Sequence, residues 1–156
     1  MEYKLIILIC HFNNLNGLEA SILSIQENFN VDILIVDDGS IDKPDLNHLK
    51  KKHQGGNIFL EILPQNMGVG MATNHGLIKI LKMDYQLTGR LDCGDLNHPN
   101  KYAKQISYLK NNPNIRLLGT YVNMVDTKGK LLFVLKHPIN HSEIIKKMFL
   151  NSAFVN

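Results

Sequence analysis

The run Leu5-Ile6-Ile7-Leu8-Ile9-Cys10 has no polar position on either face. A strand formed there must be covered on both sides, as strands are inside a parallel sheet. Val31 to Val36 is a second buried-strand run, and it stops abruptly at Asp37-Asp38-Gly39-Ser40, where carboxylates and a glycine take over. Between the two, after the polar stretch His11 to Asn14, residues Leu15, Leu18, Ile22, Ile25 and Phe29 recur three and four apart, the stripe of a helix packed on the sheet.

A short helix marked by Pro44, Leu46 and Leu49 leads to a third strand at Asn57 to Leu63, closed by Pro64. Gly68-Val69-Gly70 opens a helix through Lys82, and Tyr85 to Leu91 reads as a fourth strand ending in Asp92-Cys93-Gly94-Asp95. A helix from Pro99 to Asn111, with Tyr102, Ile106 and Leu109 on one face, runs into an apolar stretch from Ile115 to Val125. The turn signal Asp126-Thr127-Lys128-Gly129-Lys130 pairs Val122 to Val125 with Leu131 to Leu135 as a hairpin, and a last amphipathic helix carries Ile144, Ile145, Met148 and Phe149. Strands alternating with helices predict a layered α/β fold with a mostly parallel sheet. Such sheets bind ligands at the carboxyl ends of their strands, where Asp37-Asp38 and Asp92 with Asp95 both fall and would face one crevice.

Composition narrows the partners. The chain has 156 residues, 44% of them apolar, enough for one domain with a sizeable core, and no linker or internal repeat divides it. Its 17 basic and 14 acidic residues are scattered, which excludes the basic face of a nucleic-acid binder and leaves an anionic small molecule or loose contact with an anionic membrane surface. Cys10 and Cys93 form neither a CxxC motif nor a disulfide framework, the cysteine usage of a cytosolic protein. Leu5 to Cys10 is too short for a signal h-region, and no stretch approaches the roughly 20 apolar residues of a membrane span. The seven histidines show no HExxH spacing and no serine lies in GxSxG, so a zinc centre and a nucleophilic hydrolase lack support.

Each acidic motif alone has a plain structural reading beside the functional one. Asp, Gly and Ser at 37–40 are turn and cap residues, yet a strand-tip carboxylate also accepts the imino hydrogen of a pyrimidine or holds a ribose hydroxyl. Asp95 or Asn97 suits a cap for the helix at Pro99, yet Asp92 and Asp95 three apart are hard oxygen ligands for Mg²⁺ or Mn²⁺ shared with a diphosphate. Gly68, Gly70 and Gly76 around Asn66 and Asn74 match neither a Walker A loop nor GxGxxG.

With both clusters in place, the chain resembles the inverting family 2 glycosyltransferases of the GT-A fold. The matching stretches are the first strand into His11-Phe12-Asn13, VDDGSID at Val36 to Asp42, PQNMGVGMATNHG at Pro64 to Gly76, RLDCGD at Arg90 to Asp95, and the helix-plus-strand string from Pro99 to Thr120. The resemblance implies a three-layer α/β/α sandwich with a late hairpin, one nucleotide-sugar-binding domain over residues 1–156, incomplete at its C-terminus. It implies a nucleotide diphosphate sugar donor, UDP-linked, held by His11, Phe12, Asn13, Asp37, Asp38, Asn66, Gly68, Asn74, Arg90 and Asp92, with Mn²⁺ or Mg²⁺ on Asp92 and Asp95. Transfer to an acceptor hydroxyl with inversion, in cell-surface polysaccharide or lipooligosaccharide synthesis, is the implied reaction. The setting is cytoplasmic, peripheral at the inner membrane face, with a glycan or lipid-linked acceptor.

Three positions depart from the family pattern: Cys10-His11-Phe12-Asn13 replaces Pro-Thr-Tyr-Asn, Thr73 replaces an Arg, and Gly94 replaces the middle Asp of Asp-x-Asp-Asp. The family's general base would fall beyond Asn156, so the chain reads as the donor-binding portion of a longer transferase, inactive alone. The rival readings are an inactive nucleotide-sugar-binding module, favoured by Gly94, and a Mg²⁺-dependent phosphoryl-transfer or receiver-like domain, whose sheet would lack the late hairpin.

Overall fold

The computed structural model describes residues 3–53 and 55–154. Strands β1 (Leu5–His11), β2 (Asp32–Asp37), β3 (Ile58–Ile62) and β4 (Leu87–Arg90) form one all-parallel sheet in the order β3-β2-β1-β4. The apolar run of β1 is explained by what lies on its two sides. Leu5, Ile7 and Ile9 face Leu18 and Ile22 of α1 (Leu15–Leu23), Leu49 of α2 (Leu46–Lys52) and Tyr102 of α4 (Lys101–Asn111). Ile6 and Leu8 face Ala72 and Ile80 of α3 (Val69–Ile80) across the other side, together with Leu34 and Val36 of β2. Alternating side chains of one strand thus build both cores of a three-layer sandwich.

Helix α3 lies close on the sheet because Gly76 has no side chain: a Cβ there would overlap Leu8 Cδ1 and come within 3.1 Å of Val36 Cγ2. Helix starts are fixed by acceptors at their first turns. Asn14 Oδ1 accepts the Gly17 amide at 2.9 Å and Asp45 Oδ1 accepts those of Asn47 and His48 at 2.8 and 3.2 Å.

The sequence reading needs three corrections. The fourth strand spans only Leu87–Arg90, because Tyr85 is diverted to donate its hydroxyl to Asp32 Oδ2 at 2.5 Å. Helix α4 begins at Lys101 and is capped by neither Asp95 nor Asn97; Glu27, far back in the chain, accepts the Tyr102 and Ala103 amides at 2.8 and 3.0 Å. No strand follows α4 before Val122, although the Pro99-to-Thr120 string resembles a helix followed by a strand.

The backbone divides into two compact units, Met1–Tyr108 and Leu109–Asn156. The second holds the antiparallel hairpin of β5 (Val122–Val125) and β6 (Leu131–Leu135), with a register irregularity at Met124/Val125, and α5 (His141–Met148). Its turn is tied by Asp126 Oδ1, which accepts the Lys128 and Lys130 amides at 2.8 and 2.9 Å. The amphipathic pattern expected of α5 is present, but none of its residues is buried.

Candidate nucleotide-binding site

The parallel register sets His11, the last residue of β1, beside Asp37, the last of β2. His11 Nδ1 and Asp37 Oδ1 are 2.9 Å apart, both side chains fully covered. His11 Nε2 accepts the Asn14 amide at 3.1 Å, so the ring proton belongs on Nδ1 and is donated to Asp37. Ser40 Oγ lies 3.3 Å from the same Nδ1 and accepts the Asn13 amide at 2.8 Å. A Ser-His-Asp relay needs the serine and aspartate on opposite ring nitrogens, so this trio is a buried brace and not a hydrolase triad.

Asp37 and Asp38 divide their work. Burial pushes the Asp37 carboxyl up, but hydrogen bonding with Ser40 and His11 and the nearby Lys43 charge outweigh it, leaving the group below the usual carboxylate range. Its Oδ2 is buried without a hydrogen bond, and Lys43 Nζ stands 3.4 Å away. Asp38 is also buried, and both its oxygens are used: Oδ1 accepts the Met67 amide at 2.8 Å and Oδ2 the Gly68 amide at 2.9 Å. That carboxylate clamps the loop before α3 onto the end of β2. Asn66 assists, its Oδ1 accepting the same Gly68 amide at 3.0 Å.

At the end of β4, Arg90 Nη2 donates to Asp92 Oδ1 at 3.1 Å. The Cys10 thiol at the end of β1 is pushed up by burial, with Thr73 and Arg90 opposing and Asp92 and Asp38 adding to the shift. Arg90 and Asp92 at the end of β4 and Asp38 just after β2 thus lie near the carboxyl ends of neighbouring strands, β1 standing between them. The loop after Asp92 is held from α1: Ser21 Oγ accepts the Gly94 amide and donates to the Asp95 carbonyl, both at 2.9 Å.

Other residues named from the sequence stand as follows. Asn13 has φ 48°, a left-handed conformation that Asn tolerates, and its Oδ1 accepts the Ile41 amide at 2.9 Å. Phe12 is exposed beside it, and Gly68 precedes α3 as its N-cap without a side-chain cap. Asn74 is exposed on α3, off the buried stripe Ala72, Thr73, Gly76 and Ile80, and is not gathered with the acids. Lys43 escaped the sequence reading; the only signal was a cation five positions after the second Asp of the motif.

The acids do not make a metal centre by themselves. Among the described residues, no group of three or more His, Cys, Asp or Glu side chains is placed to hold an ion. Gly94 has φ +102°, where an aspartate would be strained, so the missing carboxylate is not a simple replacement. Burial first, and then repulsion from Asp92, raises the Asp95 carboxyl above its ordinary range. Two carboxylates, one engaged by Arg90, fall short of the oxygen set that Mg²⁺ or Mn²⁺ demands.

A parallel α/β sheet with acids at strand ends defines the class of open α/β folds whose ligands bind at the carboxyl ends of the strands. The chain matches the family model "Glycosyl transferase family 2" over residues 6–153, and it belongs to that family. It is similar to bifunctional glycosyltransferase pgtA of Dictyostelium discoideum, 28% identical over 128 residues, covering 80% of this chain and 16% of that protein. It is also similar to amylovoran biosynthesis glycosyltransferase AmsE of Erwinia amylovora, 35% identical over 68 residues, 44% of this chain and 24% of that protein. Among solved structures, S. aureus TarS 1-349 in complex with UDP superposes with a TM-score of 0.59 at 16% identity, covering 78% of this chain and 41% of that one. That likeness shows the GT-A type of α/β fold. The chain spans less than half the length of each of these proteins. Family membership and the hairpin β5–β6 set aside the receiver-like alternative.

Proposed function

We propose that this chain is the donor-binding domain, residues 1–156, of a glycosyltransferase that takes a UDP-sugar. The observation that carries the reading is that β2, β1 and β4 are neighbours in one parallel sheet, so that Asp37 and Asp38 at the end of β2 and Arg90 and Asp92 at the end of β4 lie at nearby strand ends. An ionised carboxylate accepts and never donates, which suits the N–H of a uracil and the hydroxyls of a ribose. Asp37 or Asp38 is the candidate for the base, and Asp92 for the ribose and diphosphate side. The UDP complex of TarS and the AmsE and WbnJ relatives, the last an O-antigen biosynthesis glycosyltransferase of Escherichia coli, support the donor and a role in polysaccharide synthesis.

In the reaction we propose, an acceptor hydroxyl attacks the anomeric carbon with inversion as the bond to the diphosphate breaks and UDP leaves. Arg90 is placed to offset the charge of the diphosphate when it is bound, and no acid of this chain is assigned as the base. A divalent ion, in this reading, binds only together with the diphosphate, whose oxygens complete what Asp92 and Asp95 leave open. The same shortfall supports the second reading, a module that binds nucleotide sugar without transferring it. Among the described residues no helix is long and apolar enough to cross a membrane; we place the protein in the cytoplasm, peripheral to the inner membrane face, with a glycan or lipid-linked acceptor.

Calorimetric titration of UDP into the chain and its Asp92→Ala variant, with and without Mn²⁺, tests the reading. We expect saturable UDP binding that the variant weakens at least about tenfold, the loss of one charged hydrogen-bonding partner. Equal affinity in the two proteins removes Asp92 from the site.

A further inference from the structure

The segment Asp92-Cys93-Gly94-Asp95 is a closed turn. The Asp95 amide donates to the Asp92 carbonyl at 3.0 Å, and φ is positive at Gly94, +102°, but not at Cys93. Those are the marks of a type II turn, in which the central peptide is flipped relative to a type I turn and the third residue favours glycine. The Gly94 N–H of that peptide donates to Ser21 Oγ of α1 at 2.9 Å, and the same hydroxyl donates to the Asp95 carbonyl at 2.9 Å. Ser21 is fully buried, whereas Gly94 and Asp95 are exposed. One fixed hydroxyl, serving as acceptor and donor, thus grips the middle and the end of a turn whose tip is open to water. The side chain of the turn's first residue is held separately, Arg90 Nη2 donating to Asp92 Oδ1 at 3.1 Å.

We propose that Ser21 is a positioning residue of the nucleotide site: by fixing the backbone of this turn it sets where the Asp92 carboxylate stands when a nucleotide diphosphate binds. The inference rests on the reading of Asp92 as an acid that contacts the donor, and Ser21 acts through Asp92, not on the ligand. When the hydroxyl is removed, water satisfies the exposed Gly94 amide and Asp95 carbonyl, so the sheet and its helices bear little of the loss. What disappears is the single placement of the turn. A nucleotide must then order the turn as it binds, and the entropy of that ordering lowers affinity.

The test is a double-mutant cycle. UDP is titrated by calorimetry into the unmodified chain, Ser21→Ala, Asp92→Ala and the doubly substituted chain. Ser24→Ala is the matched control, since Ser24 Oγ accepts the Asn97 amide at 2.9 Å, beyond the turn. Ser21→Ala is expected to weaken UDP about fivefold, and Asp92→Ala, worth at least about tenfold in the unmodified chain, to matter less than about threefold once the Ser21 hydroxyl is gone. Ser24→Ala is expected to leave UDP affinity unchanged. Equal affinity in Ser21→Ala and the unmodified chain overturns the proposal, as do strictly additive losses in the double variant. An equal loss in Ser24→Ala also overturns it, because that marks a general loosening of the segment. Should Ser21→Ala fail to fold, Ser21→Cys, which keeps the side-chain shape and weakens both hydrogen bonds, takes its place under the same criteria. UDP affinity indifferent to Asp92→Ala removes the donor reading of Asp92 and the positioning role together, whereas sensitivity to Asp92→Ala without sensitivity to Ser21→Ala removes the positioning role alone.

Discussion

Replacing Asp38 by alanine removes the carboxylate that ties the Met67 and Gly68 amides to the sheet, at 2.8 and 2.9 Å. A hydrogen bond with one charged partner is worth about 1.5 to 3 kcal/mol net. Met67 and Gly68 are exposed, so water reaches the released amides and the lower figure applies to each. Two such bonds amount to about 3 kcal/mol. For a chain of this length, at about 2 to 4 °C per kcal/mol, the melting temperature falls by roughly 6 to 12 °C. Asp38→Asn keeps the shape and one acceptor but turns an N–H toward an N–H, for a loss of about 2 kcal/mol. Because a chain of two compact units need not unfold in a single step, urea unfolding is paired with a local readout, the rate of proteolysis within residues 65–68. Both variants are expected to be cut faster there. A loss below about 1 kcal/mol for Asp38→Ala, with cleavage unchanged, refutes the clamp.

The lowered Asp37 carboxyl contributes stability that is complete above the ordinary aspartate range near pH 4 and is lost as pH falls through its depressed value. Acid unfolding of Asp37→Asn should therefore be flatter below about pH 4 than that of the unmodified chain. Asp95 carries the opposite sign: its raised carboxyl means the ionised form is disfavoured by the fold, so stability declines as pH rises through the ordinary range toward the raised value. Asp95→Asn is expected to be more stable than the unmodified chain at neutral pH, and a less stable variant contradicts this. Gly76→Ala drives a methyl into Leu8 and Val36 and should cost about 1 to 3 kcal/mol in urea unfolding; a neutral result shows that α3 can lift from the sheet.

The central sheet was legible because β1 is apolar on both faces, a pattern satisfied only by cover on both sides. Residues 115–121, Ile-Arg-Leu-Leu-Gly-Thr-Tyr, are only partly apolar and find no strand partner among the described residues, and strand pairing is a non-local property that no run of side chains specifies alone. Glu27 as the cap of α4 was invisible for the same reason, since the cap and the helix start are 75 residues apart. The candidate acids were singled out by their position at strand ends, and family resemblance supplied the chemistry proposed for them. What sequence left open was how Asp37 and Asp38 differ. Side-chain hydrogen bonding distinguishes them: Asp38 spends both oxygens on backbone amides, and Asp37 keeps one facing Lys43.

Ser21, Ser24 and Glu27 stand three residues apart, and each holds a successive stretch of the segment that follows β4. Ser21 takes the Gly94 amide and the Asp95 carbonyl, Ser24 the Asn97 amide, and Glu27 the first turn of α4. Two stretches of backbone so matched act as a ruler and its scale. A residue inserted between Gly94 and Asn97 leaves every later mark displaced by one, whereas the β5–β6 turn, where Asp126 ties the Lys128 and Lys130 amides within the turn itself, absorbs added length at the expense of those ties alone. Anyone transplanting the acidic loop to another scaffold must therefore carry the Ser21-to-Glu27 stretch with it, and anyone seeking a place for a tag within the chain should choose the turn at Lys128.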